Sequence, residues 1–320
     1  MNYDIFNGDA DGIIALLQLR LANPIPSRLI TGVKRDINLV EKIEAETQDH
    51  VTVLDVSMAK NIKGLDAVLN KGATVFYVDH HQSGDIPTHE NLEAHIDLDA
   101  NTCTALIIDN LLDGQFHLWA ITAAYGDNLI AKADELVDKA SLNTEQKSAL
   151  KELGTLINYN GYGAKIEDLH FHPAELYKAL LAYPSPFDVI ADNESPFYKL
   201  QKSYQEDMDK ALAIIPMHKS DSLRVFELPN SAASRRISGV YGNWLANDNP
   251  NSAHAVLTQN GDNTYTVSLR APLNNKQGAS EICGQFATGG GREAAAGINA
   301  LPNTELADFI NKVDDYYLQA

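Results

Sequence analysis

The chain has 320 residues, 44% of them hydrophobic, and a formal net charge of 25 − 43 = −18. That length suits two domains with proper cores. The acidic balance excludes a protein that coats long duplex nucleic acid, which relies on many phosphate–cation contacts. Tyr3–Phe6 predicts a short strand, and Asn7-Gly8-Asp9-Ala10-Asp11-Gly12 a turn leading into a helix over Ile13–Leu21. That apolar stretch contains Gln18 and Arg20 and is too short for a membrane span, and no basic segment precedes it, so neither signal peptide nor membrane association is expected.

Arg28–Thr31 predicts a weaker strand. Val51–Leu54 and Thr74–Val78 read as buried strands, with a helix around Ile62–Asn70 between them. Such alternation predicts an α/β fold with a parallel sheet covered on both faces. Helices are predicted over Thr104–Leu112 and Leu118–Ala124, and a helical stretch with charged faces from Asp134 to about Pro184. Pro184, Pro186 and Pro196 then punctuate the chain before a helix over Phe197–Ile214. Beyond Pro216 the texture is strand-like at Leu223–Leu228, Ala253–Gln259 and Tyr265–Arg270, with a turn at Gln259-Asn260-Gly261-Asp262. Two cysteines, Cys103 and Cys283, are too few for a disulfide framework or a thiolate zinc site, so a reducing cytoplasm is the expected setting.

Three apolar runs end in acidic or imidazole groups: Tyr3–Phe6 at Asp9 and Asp11, Val51–Leu54 at Asp55, Thr74–Val78 at Asp79-His80-His81. An open parallel sheet binds ligands beyond the carboxyl ends of its strands, so one crevice would receive all of them. Gly126-Asp127-Asn128 can add a fourth carboxylate. Without a cation, ionised carboxylates repel at roughly 4 kcal/mol per pair at 4 Å and an effective dielectric near 20. Divalent ions remove that repulsion, and hard oxygens with one or two imidazoles suit Mn²⁺, ahead of Mg²⁺ or Zn²⁺. Singly, each element is ordinary, since Asp-x-Asp-Gly is a common turn; their joint occurrence at strand ends carries the reading. Other groups are read as ordinary structure: His170 and His172 as surface or packing residues, Trp119 and Trp244 as core, Arg235-Arg236 as surface. Lys34 and Arg35 suit either a phosphate contact or a solvated pair.

In combination, Asp9-x-Asp11, Asp55, Asp79-His80-His81 and Asp127 resemble the four motifs of the DHH phosphoesterase superfamily. Thr102-Cys103-Thr104 is similar to the start of the family's helix after the third motif. Val267-Ser268-Leu269-Arg270 and Gly289-Gly290-Gly291-Arg292-Glu293-Ala294-Ala295-Ala296-Gly297 resemble the strand and glycine-rich signature of the DHH-associated C-terminal domain. The resemblance implies a parallel-sheet DHH domain with a helical insert over residues 1–185 and a linker helix over 186–215. A smaller α/β substrate-binding domain would span 216–320, with the active site in the cleft between them. It implies two Mn²⁺ sites, with Mg²⁺ as the second choice of ion. Asp55 would bridge the metals, Asp11, His80 and Asp127 would complete one site, and Asp9 would belong to the other. His81 would face the scissile phosphate, with Asp79 holding an imidazole by its N–H. Gly289, Gly290, Gly291, Arg292, Arg270 and Lys34 are the expected substrate contacts.

Two positions depart from the family pattern. Ile5 stands where many members carry a histidine four residues before the first aspartate, leaving Asn7 as a substitute ligand or a turn residue; Arg292 stands where a histidine usually follows the glycines. The expected activity is hydrolysis of phosphodiester bonds in short substrates: oligonucleotides, as in the exonuclease and oligoribonuclease-like branch, or linear or cyclic dinucleotides. Polyphosphate hydrolysis and a non-catalytic phosphate-binding module are the alternatives. The expected partner is a small phosphate-containing substrate or short oligonucleotide, and a homodimer is compatible with this reading.

Overall fold

In a computed structural model, which describes residues 1–318, the first half of the chain alternates strand and helix as its apolar runs dictate. The elements run β1 (Asn2–Phe6), α1 (Ala10–Ala22), β2 (Arg28–Ile30), β3 (His50–Leu54), α2 (Met58–Asn70), β4 (Thr74–Asp79) and β5 (Leu92–Ile96). All five strands are parallel, in the order β2-β1-β3-β4-β5. The order reverses between β1 and β3, so their carboxyl ends flank the crevice where such sheets bind ligands. Tyr3, Ile5, Val51, Val53, Val75 and Tyr77 face one layer, which includes Met58, Leu65, Val68 and Leu69 of α2. On β1 the alternate residue Asp4 is paired with Arg20 of α1, a fully buried carboxylate held by a guanidinium that also reaches Thr52.

Helices follow: α3 (Thr104–Leu111), α4 (His117–Gly126), α5 (Ile130–Lys139), α6 (Thr144–Gly161), α7 (Pro173–Leu180), α8 (Pro186–Ala191) and α9 (Pro196–Leu212). Two units separate by their contacts, Met1–Lys202 and a second from Ser203, so the division falls within α9. The second unit contains β6 (His218–Lys219), β7 (Leu223–Leu228), α10 (Ala232–Asp248), β8 (Ala253–Gln259), β9 (Thr264–Arg270), α11 (Ala279–Cys283), β10 (Gly289–Arg292), β11 (Ala295–Pro302) and α12 (Leu306–Leu318). Its sheet is mixed, in the order β10-β11-β9-β8-β7-β6, with only the β7–β8 pair parallel. Its core joins Val225, Leu257, Val267 and Ile298 to Ile282 of α11 and to Phe309 and Val313 of α12.

The α/β expectation holds, and several elements escape the sequence reading: β5, the short β6, α10, α11, β10, β11 and α12. Trp119 is fully buried as expected, whereas Trp244 is 42% exposed and stacks on Tyr241, so it is not a core residue. His170 hydrogen-bonds Tyr159 and His172 caps α7, both packing roles. Among the described residues, no helix is long and apolar enough to cross a membrane.

One close approach aligns the helices under the site. A Cβ on Gly126, the last residue of α4, would lie 2.5 Å from the Ala10 Cβ and 2.8 Å from the Gly154 carbonyl oxygen. Glycine here lets α4 press against both α1 and α6, and the next residue is Asp127. Gly126→Ala is expected to cost about 1–3 kcal/mol by overpacking, read as a lower urea midpoint with unchanged slope. A variant as stable as the parent would show that α4 has room to move.

Candidate metal centre

Asp9 caps α1: its Oδ1 accepts the Gly12 backbone N–H at 3.1 Å, and α1 begins at Ala10, earlier than the predicted Ile13. Its Oδ2 is paired with the Lys34 ammonium. Asp11, in the first turn of the same helix, is fully buried and accepts two backbone N–H groups at the start of α3, from Thr104 at 2.8 Å and Ala105 at 2.7 Å. A carboxylate has about four lone-pair positions, so both oxygens retain acceptor capacity. Asp55 follows β3 with φ +58°, an uncommon left-handed conformation for a residue other than glycine, at the turn toward α2. Asp79 ends β4, and Asp127 caps the C-terminus of α4.

Three of these carboxylates converge on one imidazole. His80 Nε2 lies 3.5 Å from Asp55, 3.7 Å from Asp11 and 4.0 Å from Asp127. His81 is oriented differently. Its Nδ1 is 2.7 Å from Asp79 Oδ1, its ring packs edge-on against His80, and its side chain is 47% exposed. Asp55, His80 and His81 each offer a ligand atom within 4.8 Å of the others.

The electrostatics call for a cation. Burial, then the charges of Asp11, Asp9, Asp79 and Asp127, push the Asp55 carboxyl well above the usual range. Burial also raises Asp127; Lys34 opposes the rise, and Asp11 adds to it. Burial would raise Asp9 as well, but the Lys34 ammonium, its hydrogen bond and the Gly12 N–H hold Asp9 down at about 2. For His81, burial favours the neutral ring, yet the Asp79 hydrogen bond and the surrounding carboxylates raise its pKa above the usual value. The buried Oδ2 atoms of Asp127 and Asp79 have no hydrogen-bond partner. Hard oxygen donors, one imidazole and orphaned carboxylate oxygens together fit a divalent ion.

No family model and no curated protein matches the chain. Solved structures do. An exonuclease RecJ bound to manganese matches at 16% identity over 100% of this chain and 90% of that one, with a TM-score of 0.63. PggH, a pGpG-specific phosphodiesterase from Vibrio cholerae, matches at 14% identity over 100% and 98%, TM-score 0.56. An exopolyphosphatase-related protein from Bacteroides fragilis matches at 12% identity over 99% and 92%, TM-score 0.51. The chain shares the fold of these proteins, the one its motifs led us to expect.

In this arrangement the acidic and imidazole residues singled out in the sequence meet near the carboxyl ends of β1, β3 and β4. Ile5 is fully buried in the core on the α2 side of the sheet, and Asn7 donates from Nδ2 to the Lys34 carbonyl while its buried Oδ1 has no partner. Lys34 is only partly exposed and is not free: its ammonium is paired with Asp9 and lies 3.3 Å from Asn158 Oδ1 and 3.8 Å from Asp127 Oδ1. Asn158 and Tyr162, both from the α6 end, carry no sequence signal and are missed.

In the second unit the glycine run is an edge strand, β10, and not a loop. Gly291 has φ +147° and sits with its Cα facing Ala296, so a side chain is excluded on both counts. Arg270 is hydrogen-bonded within its unit, its Nε 2.7 Å from Asn243 Oδ1 and its terminal nitrogens on Ser268 and Gly239. Arg292 is exposed, with no ion pair among the described residues; Glu293, its expected alternative partner, instead accepts from Gly278 N–H and Ser280 Oγ.

The raised Asp55 pKa has a sign. A carboxyl held above its unfolded value contributes stability below the ordinary carboxylate range, and that stability is lost as pH climbs toward the raised value. The metal-free protein is therefore expected to lose thermal stability as pH rises from the ordinary carboxylate range, about 4, toward neutral. Asp55→Asn should melt higher than the parent at the upper pH and show a flatter profile, in chelator-treated melts. Parallel profiles for the two proteins would remove Asp55 as the source.

Proposed function

We propose that the chain is a metal-dependent phosphoesterase that hydrolyses phosphodiester bonds in short substrates, oligonucleotides of a few residues or linear or cyclic dinucleotides. The observation that carries this reading is the convergence of Asp11, Asp55 and Asp127 on His80 Nε2, with the Asp79-held His81 beside it. A net charge of −18 disfavours long strands and leaves short phosphates, which need only local cations. Likeness to a pGpG-specific phosphodiesterase over the whole length of both chains supports the dinucleotide class.

Asp11, Asp55, His80 and Asp127 would hold Mn²⁺, or Mg²⁺ as second choice, and Asp9 with Asp55 would face a second position. Bound there, a divalent ion acidifies water and polarises a phosphoryl group. The protein's own residues do the rest. Asp11 is held in place by the two N–H groups of α3, so its carboxylate needs no reorganisation when the ion arrives. Asp79 takes the Nδ1 side of His81, which leaves Nε2 for the phosphate or for proton delivery to the leaving oxygen. In the second unit, Arg292 and the exposed edge of β10 are the groups suited to a phosphate contact. A cation with no competing ion pair is suited to that purpose.

A panel of dinucleotides, cyclic dinucleotides, longer single strands and polyphosphate, offered with Mn²⁺, tests the reading. Dinucleotides or short oligomers should turn over fastest, and chelation should abolish the activity. Polyphosphate as the preferred substrate would move the assignment to phosphoanhydride hydrolysis, the reaction suggested by the likeness to an exopolyphosphatase-related protein.

His81→Ala should lower kcat by roughly a hundredfold or more while metal content, read by elemental analysis, stays near the parent's. His80→Ala should lose metal. Equal metal loss in both variants would mean that His81 is a ligand.

Arg292→Ala should lower kcat/KM roughly ten- to a hundredfold, about 1.4–2.8 kcal/mol, with the melting temperature unchanged. Arg292→Lys should recover only part, because an ammonium cannot form the planar fork. A thermal defect without a kinetic one would assign Arg292 a structural role.

A further inference from the structure

We propose that the Lys34 ammonium occupies the Asp9 side of the centre as a built-in cation, so that the protein works with one divalent ion per chain beside a fixed lysine. The inference rests on the metal-dependent reading of the site and changes its composition.

Lys34 is placed by its backbone, not by chance rotamers. Its N–H donates to the Gly161 carbonyl at 2.9 Å, at the end of α6, and its own carbonyl accepts from Asn7 Nδ2 at 3.2 Å. The loop around it is further closed by Asp36, whose carboxylate accepts the Val33 N–H. From that anchor the side chain reaches Asp9, with Asn158 Oδ1 at 3.3 Å, Asp127 Oδ1 at 3.8 Å and the Tyr162 ring face 5.5 Å away. An ammonium has three donors; Asp9 and Asn158 take two, and Asp127 lies at longer range. The aromatic face adds a further attraction for the charge.

The ligands divide in two accordingly. Asp11, Asp55 and Asp127 gather around His80 Nε2 and make a complete set for one ion. On the other side, Asp9 has one oxygen on the Gly12 N–H and the other on Lys34. Ile5, the β1 residue four positions before Asp9, is sealed in the opposite core and brings no donor. A second divalent ion at Asp9 would have to displace the ammonium or sit against it, and like charges at that range repel strongly in a buried setting. The ammonium neutralises Asp9 without the ligand shell that a divalent ion needs.

The test measures metal stoichiometry and spin coupling, independently of turnover. The full-length protein is stripped with chelator, titrated with Mn²⁺ alone, and followed by calorimetry and electron paramagnetic resonance. The parent should bind one Mn²⁺ per chain with a mononuclear six-line spectrum. Lys34→Met, which keeps the side-chain length and removes the charge, should admit a second ion and give an exchange-coupled signal. Lys34→Arg should stay at one. Two ions in the parent, or one in a folded Lys34→Met, overturns the lysine assignment and leaves the phosphoesterase reading standing. No ion in the parent overturns the metal-dependent reading and this inference with it. Should Lys34→Met fail to fold, the parent's stoichiometry and spectrum still decide.

Discussion

The mutual repulsion of buried carboxylates is the constraint on which this molecule turns. Asp9, Asp11, Asp55 and Asp79 are each at most 3% exposed, and Asp127 joins them at the end of α4. Charges so placed oppose folding unless something positive shares the space. Part of the compensation is internal. Backbone N–H groups at the starts of α1 and α3 serve Asp9 and Asp11, where helix N-termini favour negative charge. Lys34 serves Asp9, and His81 serves Asp79. Asp55 and Asp127 remain with raised pKa values, and their environment matches a divalent ion better than any side chain nearby.

The scaffold explains how that cost is tolerated. The sheet under the site is parallel, and a central strand such as β3 buries Val51, Val53 and Leu54 while its acidic group, Asp55, stands just beyond its last residue. Core burial and site strain are thus separated along each strand by one or two residues, so the strain at Asp55 is supported by an ordered core directly below it. Asp4 and Arg20 repeat the electrostatic theme lower in the same sheet, where a guanidinium and the Ser27 hydroxyl together serve the carboxylate. The contrast is instructive: Asp4 has its partners built in, and the site carboxylates do not.

The second unit follows a different logic. Its sheet has a core of its own, and its glycine strand lies at the edge, where unpaired backbone groups remain on one side. Two arginines near that edge have separate fates. Arg270 hydrogen-bonds Asn243 and Gly239 of α10, while Arg292 is exposed beside the glycines.

Much of this was legible in the order of residues. Apolar runs of four to six residues ending in Asp or His dictate strands with polar tips, because strand interiors are buried and their ends are not; β1, β3, β4 and the placing of Asp9, Asp11, Asp55 and His80 near their ends follow from that pattern, whereas Asp127 follows a helix. Weaker segments were not legible. β5 is only half-buried and lacks a clean alternation, and β10 is mostly glycine, which has no side chain to show a period. The pairings within the site were beyond local reading as well. Asp11 meets Thr104 and Ala105 across more than ninety positions, and Lys34 meets Asn158 across 124. Sequence determined which chemical groups stand at the ends of which strands, since that depends on neighbours along the chain. The tertiary structure alone decided which group compensates which charge, since that depends on helices α3, α4 and α6 arriving from distant parts of the chain at one crevice.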